Sequence, residues 1–243
     1  MLKTLLATAL AASSFAACAI PQISVGQMYD FIEGDKSTYL KRISNNGDNT
    51  AFIKTEVSEV SWDASGRKTE KRIDANAASS ANIDGLIVTP ARMIVPAKGM
   101  QPSRLLVTGN RDKERYYRVR YIPVMPKDQY EFGQTKKEFE QYNNKLNVGI
   151  NILTGYGTMT IVRPKNVIFN TVINDNGGDI TIVNNGNSSI ILDGLRQCAN
   201  NKCAESSSSI VLPGKKIQLR KIAKKSWQFT LLEGNKKSPK SFG

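Results

Sequence analysis

The stretch Leu146-Asn-Val-Gly-Ile-Asn-Ile-Leu-Thr-Gly-Tyr-Gly-Thr-Met-Thr-Ile-Val162 decides the fold of this chain. In its first half Leu146, Val148, Ile150 and Ile152 alternate with Asn147, Gly149 and Asn151, the two-residue period of a strand with one strongly apolar face. The run ends at Arg163-Pro164 and follows a long polar segment, Lys127 to Lys145, which reads as a charged loop. Two readings fit the pattern. One is an ordinary core strand of a β-sandwich. The other is an edge strand that offers its backbone groups and its aliphatic row to another protein.

Working toward the N-terminus, Arg115-Tyr-Tyr-Arg-Val-Arg-Tyr-Ile-Pro123 is a second strong strand, with Tyr117, Val119 and Tyr121 on one face and Arg118 and Arg120 on the other. The tyrosine face reads as core. The paired arginines read either as a solvated outer face or as a fork for a carboxylate, whose geometry the planar guanidinium matches. Before them, Ile23 to Ile32, Ser37 to Asn45 and Ala51 to Val60 read as three short strands separated by the turn residues Glu33-Gly-Asp35 and Asn46-Gly-Asp48. Ser61 to Ala81 is polar and Ala/Ser-rich and reads as a long loop. Gly85 to Pro90, Met93 to Pro96 and Ser103 to Thr108 follow, with Pro90 and Pro96 confining their segments to edges or strand ends.

Working toward the C-terminus, the composition changes after Arg163. Val167 to Ile173, Asp179 to Asn184, Ser189 to Leu192, Ile210 to Leu212, Lys216 to Ile222 and Trp227 to Leu232 are short strands broken by Asn/Gly turns, at the spacing of a sandwich. Gly234 to Gly243 is Lys/Ser-rich and reads as a frayed tail. The chain is therefore expected to be all-β, with a first domain over residues 20–163 and a second over 164–243.

The first 19 residues combine Lys3, a short apolar core and small residues before the expected cleavage point, and read as an export signal. Cys18 admits two readings: Ala17-Cys18-Ala19 as a cleavage site, or Phe15-Ala-Ala-Cys18 as a weak lipoprotein box. The first is favoured because Phe15 stands where a lipobox has Leu. No other stretch approaches the roughly 20 apolar residues of a membrane span. Cys198 and Cys203 then remain as an even pair in an oxidising compartment, where a disulfide is the default. The formal net charge of +13 would suggest nucleic acid in a cytosolic protein, but export argues against that partner. With no histidine, sparse carboxylates and no phosphate-cradling glycine spacing, neither an enzyme nor a metal or cofactor site is expected.

Gly85-Leu-Ile-Val-Thr-Pro90, Ile94-Val-Pro96 with Gly99, the strand Glu114 to Pro123, Ile161-Val-Arg-Pro164 and Leu212-Pro-Gly-Lys215 together resemble, in order and over nearly the whole exported chain, the PapD-like periplasmic chaperones of pilus assembly. The alternate and common-pilus branches, which carry a short cysteine loop such as Cys198 to Cys203, are the most similar. The resemblance implies two immunoglobulin-like sandwiches set at an angle like a boomerang, and a periplasmic protein without enzyme activity. It also implies pilin subunits and an outer-membrane usher as partners, with Leu146, Val148, Ile150 and Ile152 as the donated row. An exposed donor edge admits self-capping by dimerisation in the free protein. The better-known branch holds the subunit's C-terminal carboxylate with an Arg in its first strand and a Lys in the last strand of its first domain. Tyr29 and Met159 stand at those places here. The anchor is therefore expected to have moved to Arg118 and Arg120, Arg118 foremost. Two other readings stand beside this one. A fimbrial subunit or tip adhesin would carry a donor segment at its mature N-terminus, where Ile20 to Val25 matches weakly. A hydrolase or carbohydrate-binding sandwich would need a carboxylate pair or an aromatic platform.

Overall fold

A computed structural model describes residues 20–63, 65–73, 84–146, 153–200 and 202–243. In the first half of the chain the strands are β1 (Ile23–Ser24), β2 (Tyr29–Ile32), β3 (Thr38–Asn45), β4 (Ala51–Trp62), β5 (Lys68–Ile73), β6 (Gly85–Thr89), β7 (Arg92–Val95), β8 (Met100–Thr108), β9 (Arg115–Pro123) and β10 (Tyr156–Val162), with helix α1 (Lys136–Leu146) before the last. The second half holds β11 (Thr171–Asp175), β12 (Asp179–Asn184), β13 (Ile190–Ala199), β14 (Lys202–Cys203), β15 (Ser207–Val211), β16 (Lys216–Arg220), β17 (Ser226–Glu233) and β18 (Lys236–Phe242). They form two sandwiches. In the first, the sheet β1-β3-β8-β6 packs on the sheet β2-β10-β9-β4-β5, which also carries β7 on β4. In the second, β11-β12-β16 packs on β14-β13-β17-β18, with β15 on β13.

Alternation builds both interiors, because a side-chain period of two gives each strand one inward row. In the first sandwich Ile43 and Leu105 from one sheet meet Val57, Tyr117, Val119 and Tyr121 from the other; in the second Ile180, Ile182 and Leu219 meet Leu192, Phe229 and Leu231. The same corner closes one end of each. Asn45 and Asn184 are fully buried. The Asn45 amide donates to the carbonyls of Asn49, Val95 and Pro96 while its oxygen accepts from Gln22 N and Gly47 N. The Asn184 amide donates to Ser188 O and Val211 O, and its oxygen accepts from Gly186 N. Gly47 and Gly186 are required there, since a Cβ would stand 2.2 Å from Ile20 O or 2.3 Å from Ile168 O.

Four sequence expectations are corrected. Ile23 to Ile32 is two strands in different sheets, because Gly26 adopts a left-handed φ of +66° and turns the chain across the sandwich. The expected loop after Ser61 contains the end of β4 and all of β5, which form a hairpin through the Asp63 to Arg67 turn; Asp63 Oδ1 accepts from the backbone N–H of Ser65 and of Arg67. The expected loop Lys127 to Lys145 contains α1. The expected frayed tail is β18, paired along β17, with Phe242 stacked on Phe229 at 6.0 Å.

The two sandwiches meet at a buried polar junction. Glu114 accepts from the Ser188 hydroxyl at 2.6 Å, from Ser189 N at 2.9 Å and from the Ser189 hydroxyl. Arg163 donates to Ser189 O at 3.0 Å, to the Ser188 hydroxyl and to Glu33 at 3.1 Å, and its guanidinium lies between the rings of Phe31 and Phe169. Arg111 binds the carbonyls of Ile32, Glu33 and Arg163. Burial lowers its pKa, against the nearby charges of Asp35 and Glu33.

Candidate functional site

β9 runs between β10 and β4, so its two faces meet different surroundings. Tyr117, Val119 and Tyr121 point inward and are fully buried, the Tyr121 hydroxyl sharing a hydrogen bond with that of Ser103 at 3.1 Å. Arg118 and Arg120 stand on the outer face. Register there sets Tyr29 opposite Met159, Met159 opposite Arg118, Arg118 opposite Ser58 and Ser58 opposite Arg72. Directly paired residues share a face. One row therefore crosses the sheet from the edge strand β2 to the edge strand β5, and its first guanidinium lies one strand inside the Tyr29–Met159 pair. Gly157, opposite Arg120, leaves the space over β10 open to these side chains: a Cβ there would lie 3.4 Å from Arg118 Nη1.

Both guanidiniums already hold a carboxylate. Arg118 Nε donates to Glu70 Oε1 at 2.9 Å, Arg120 Nη2 donates to Glu70 Oε2 at 2.5 Å, and Lys68 Nζ lies 2.7 Å from Oε1. Glu70 is on β5, so its side chain crosses over β4 to reach β9. The small side chain of Ser58 lies in that path and accepts from Arg120 Nη1 at 3.3 Å. The Lys68 hydrogen bond, opposed by partial desolvation and reinforced by the Arg120 hydrogen bond and the two guanidinium charges, holds the Glu70 carboxyl at about 2, well below its ordinary 4.5. Sequence reading missed Glu70 because Lys68-Thr-Glu-Lys-Arg-Ile73 has no alternating apolar row to mark it as a strand.

Beyond Arg120, the outer face is covered by α1. Tyr142 of the helix and Phe132 pack edge-on against Phe52 of β4, with ring centroids 4.6 and 5.0 Å away. The helix begins in a capping box: Thr135 N donates to Glu138 at 2.8 Å and Glu138 N to the Thr135 hydroxyl at 3.3 Å. Leu146 is the last residue of α1. Val148, Ile150 and Ile152 of the expected donated row lie outside the described residues, and the chain is described again from Leu153 to β10. Cys198 and Cys203 are joined by a disulfide across the β13–β14 hairpin, with an S–S distance of 2.02 Å. Among the described residues no His, Cys, Asp or Glu cluster is arranged to hold a metal, and no helix is long and apolar enough to cross a membrane.

No family model matches the chain. A curated relative, the probable fimbrial chaperone EcpB of Escherichia coli O157:H7, is 26% identical over 224 residues, covering 89% of this chain and 90% of its own. Among solved structures, the class 5 fimbriae chaperone CfaA matches with a TM-score of 0.54 over 90% of this chain and 98% of its own, at 18% identity. Over nearly its whole length the chain is similar to curated fimbrial chaperones, and it shares the fold of solved ones. A chain of the CsuC–CsuE chaperone–tip adhesion subunit complex of Acinetobacter baumannii has the same fold, at 12% identity and a TM-score of 0.51 over 92% of this chain and 98% of its own length. The two sandwiches described above are thus the two immunoglobulin-like domains of that fold.

Proposed function

We propose that this chaperone binds fimbrial subunits in the periplasm, lends them Leu146, Val148, Ile150 and Ile152 as a missing strand, and anchors their C-terminal carboxylate on Arg118 and Arg120. Residues 1–19 export it, residues 20–163 form the subunit-binding domain, and residues 164–243 the second. The chaperone keeps subunits from premature polymerisation and delivers them to an outer-membrane usher. Free, it caps its donor edge by pairing with a second copy. Its work is binding, without catalysis.

The observation that carries this reading is the outer row on the six-stranded sheet. Its guanidinium stands beside the Tyr29–Met159 pair, where the resemblance expects basic residues, and β10 of that pair is the strand that the donor stretch enters. The pairing is β-augmentation: backbone bonds supply affinity and alternate side chains fill the subunit's open core. Four aliphatic side chains at about 1.5 to 3 kcal/mol each supply roughly 6 to 12 kcal/mol before ordering costs are subtracted. Lending Leu146 further requires the last turn of α1 to open on binding.

The test is co-purification from periplasm of the tagged chaperone, wild type beside Ile150→Asp and Arg118→Ala, with mass spectrometry of the accompanying subunit. A subunit-sized partner held by wild type and lost from Ile150→Asp is the expected result. Wild type emerging alone or as self-polymers while fimbrial subunits are expressed would overturn it.

A further inference from the structure

The proposed carboxylate anchor is not empty in the free chaperone. Glu70 spans both guanidiniums, one oxygen to each, in the arrangement that a chain-terminal carboxylate would adopt. We infer that Glu70 is an internal competitor for this seat, which an incoming subunit's carboxylate must displace from Arg118 and Arg120. The inference rests on the assignment of those two arginines as the anchor.

Three features favour exchange over a permanent structural pair. First, Glu70 lies on β5, an edge strand paired only with β4 among the described residues, and Lys68 to Arg72 are exposed along its whole length. A side chain there can swing away without dragging a packed core. Second, Lys68 sits two residues earlier on the same strand, on the same face, with its ammonium 2.7 Å from the Glu70 carboxylate. When Glu70 leaves the arginines it keeps a counter-ion, so displacement strands no charge. Third, the arginine side chains are 27% and 35% exposed, within reach of a ligand approaching the outer face. The neighbouring Arg72 is engaged separately by Glu56 at 2.8 Å and does not compete for Glu70.

The consequence is selectivity. Two guanidiniums two residues apart on one strand would attract any small anion if left bare. With Glu70 in place, a free carboxylate in solution gains little by replacing one already tethered at high effective concentration. A carboxylate at the end of a subunit that is also paired along the donor strand brings its own tethering and can win the exchange. Glu70 thereby sets a threshold that admits chain ends presented by a bound strand and excludes soluble anions.

The experiment uses the full exported chain as wild type, Glu70→Gln, Glu70→Asp and Arg118→Ala/Arg120→Ala, each first shown to melt cooperatively. Sodium acetate, with acetamide as the neutral control, is titrated while the Arg118 and Arg120 Nε–H signals are followed by NMR. The subunit that co-purifies with wild type is measured for each variant in parallel. Glu70→Gln removes the charge, and Glu70→Asp is one methylene too short to span β4. Each should raise acetate affinity roughly three- to tenfold, the worth of one or two exposed ion pairs, without a matching rise for acetamide, and should retain at least wild-type subunit. Unchanged acetate affinity in both Glu70 variants overturns the competitor while leaving the anchor standing, provided that Arg118→Ala/Arg120→Ala still loses the subunit. Wild-type subunit yield from that double variant overturns the anchor, and the competitor with it, even where acetate affinity has risen.

Discussion

Two carboxylates of the first sandwich show how surroundings decide what a charge does. Glu70, partly exposed among Lys68, Arg118 and Arg120, is held at about 2. A depressed carboxyl contributes stability that is fully present above its ordinary value of 4.5 and is lost as pH falls toward 2. Solvent screening keeps that contribution to about 1 kcal/mol. Urea midpoints of wild type and Glu70→Gln should therefore differ at neutral pH and converge below about pH 3; a difference that persists unchanged at pH 2 would count against the ion cluster. Asp30 is the opposite case. It is 2% exposed, and burial raises its carboxyl pKa despite the Lys41 ammonium at 2.7 and 2.9 Å. Asp30→Ala strands a buried ammonium that is left, among the described residues, with the Gln27 carbonyl, and should cost about 3 to 5 kcal/mol in urea unfolding. The double change Asp30→Leu/Lys41→Met should recover most of that loss, because it leaves no lone charge.

Among the elements, the legible ones are those whose alternation faces an apolar core, and the illegible ones lie on edges. β9 could be read from Arg115 to Pro123 because Tyr117, Val119 and Tyr121 mark its inward row. β5 and β18 lacked such a row: their residues are mostly charged or polar, and they are strands because β4 and β17 pair with them. α1 was passed over because Phe139 and Tyr142 alone make a short apolar stripe, although Thr135-Lys-Lys-Glu138 carries the capping-box spacing at its start. That cap holds a helix which leads directly into the proposed donor stretch. Thr135→Ala should cost about 0.5 to 2 kcal/mol of local stability, read as faster amide exchange in α1 with β9 unaffected. Equal exchange in the two proteins would show that packing of Tyr142 on Phe52 alone seats the helix.

At the scale of the molecule, the junction joins the two sandwiches through groups far apart in sequence. Glu114 carries much of it, by satisfying Ser188 and the Ser189 backbone and hydroxyl while lying 3.9 Å from Arg163. Glu114→Ala leaves several buried donors unpaired and should cost about 1 to 3 kcal/mol. It should also widen the small-angle scattering profile relative to wild type while each sandwich keeps its fold; an unchanged profile would mean that Arg111 and Arg163 suffice to hold the two together. The sequence by itself determined the all-β class, the inward rows, the Asn/Gly turns and the resemblance to the pilus chaperones. All of these follow from local periodicity, turn chemistry and the order of short motifs along the chain. Only the tertiary structure decided that Arg118 and Arg120 meet Glu70, that Tyr29 lies opposite Met159, and that Glu114 reaches Ser188. Those contacts depend on sheet order and register, which bring together side chains 48 to 130 positions apart, and no local pattern in the chain encodes such distances.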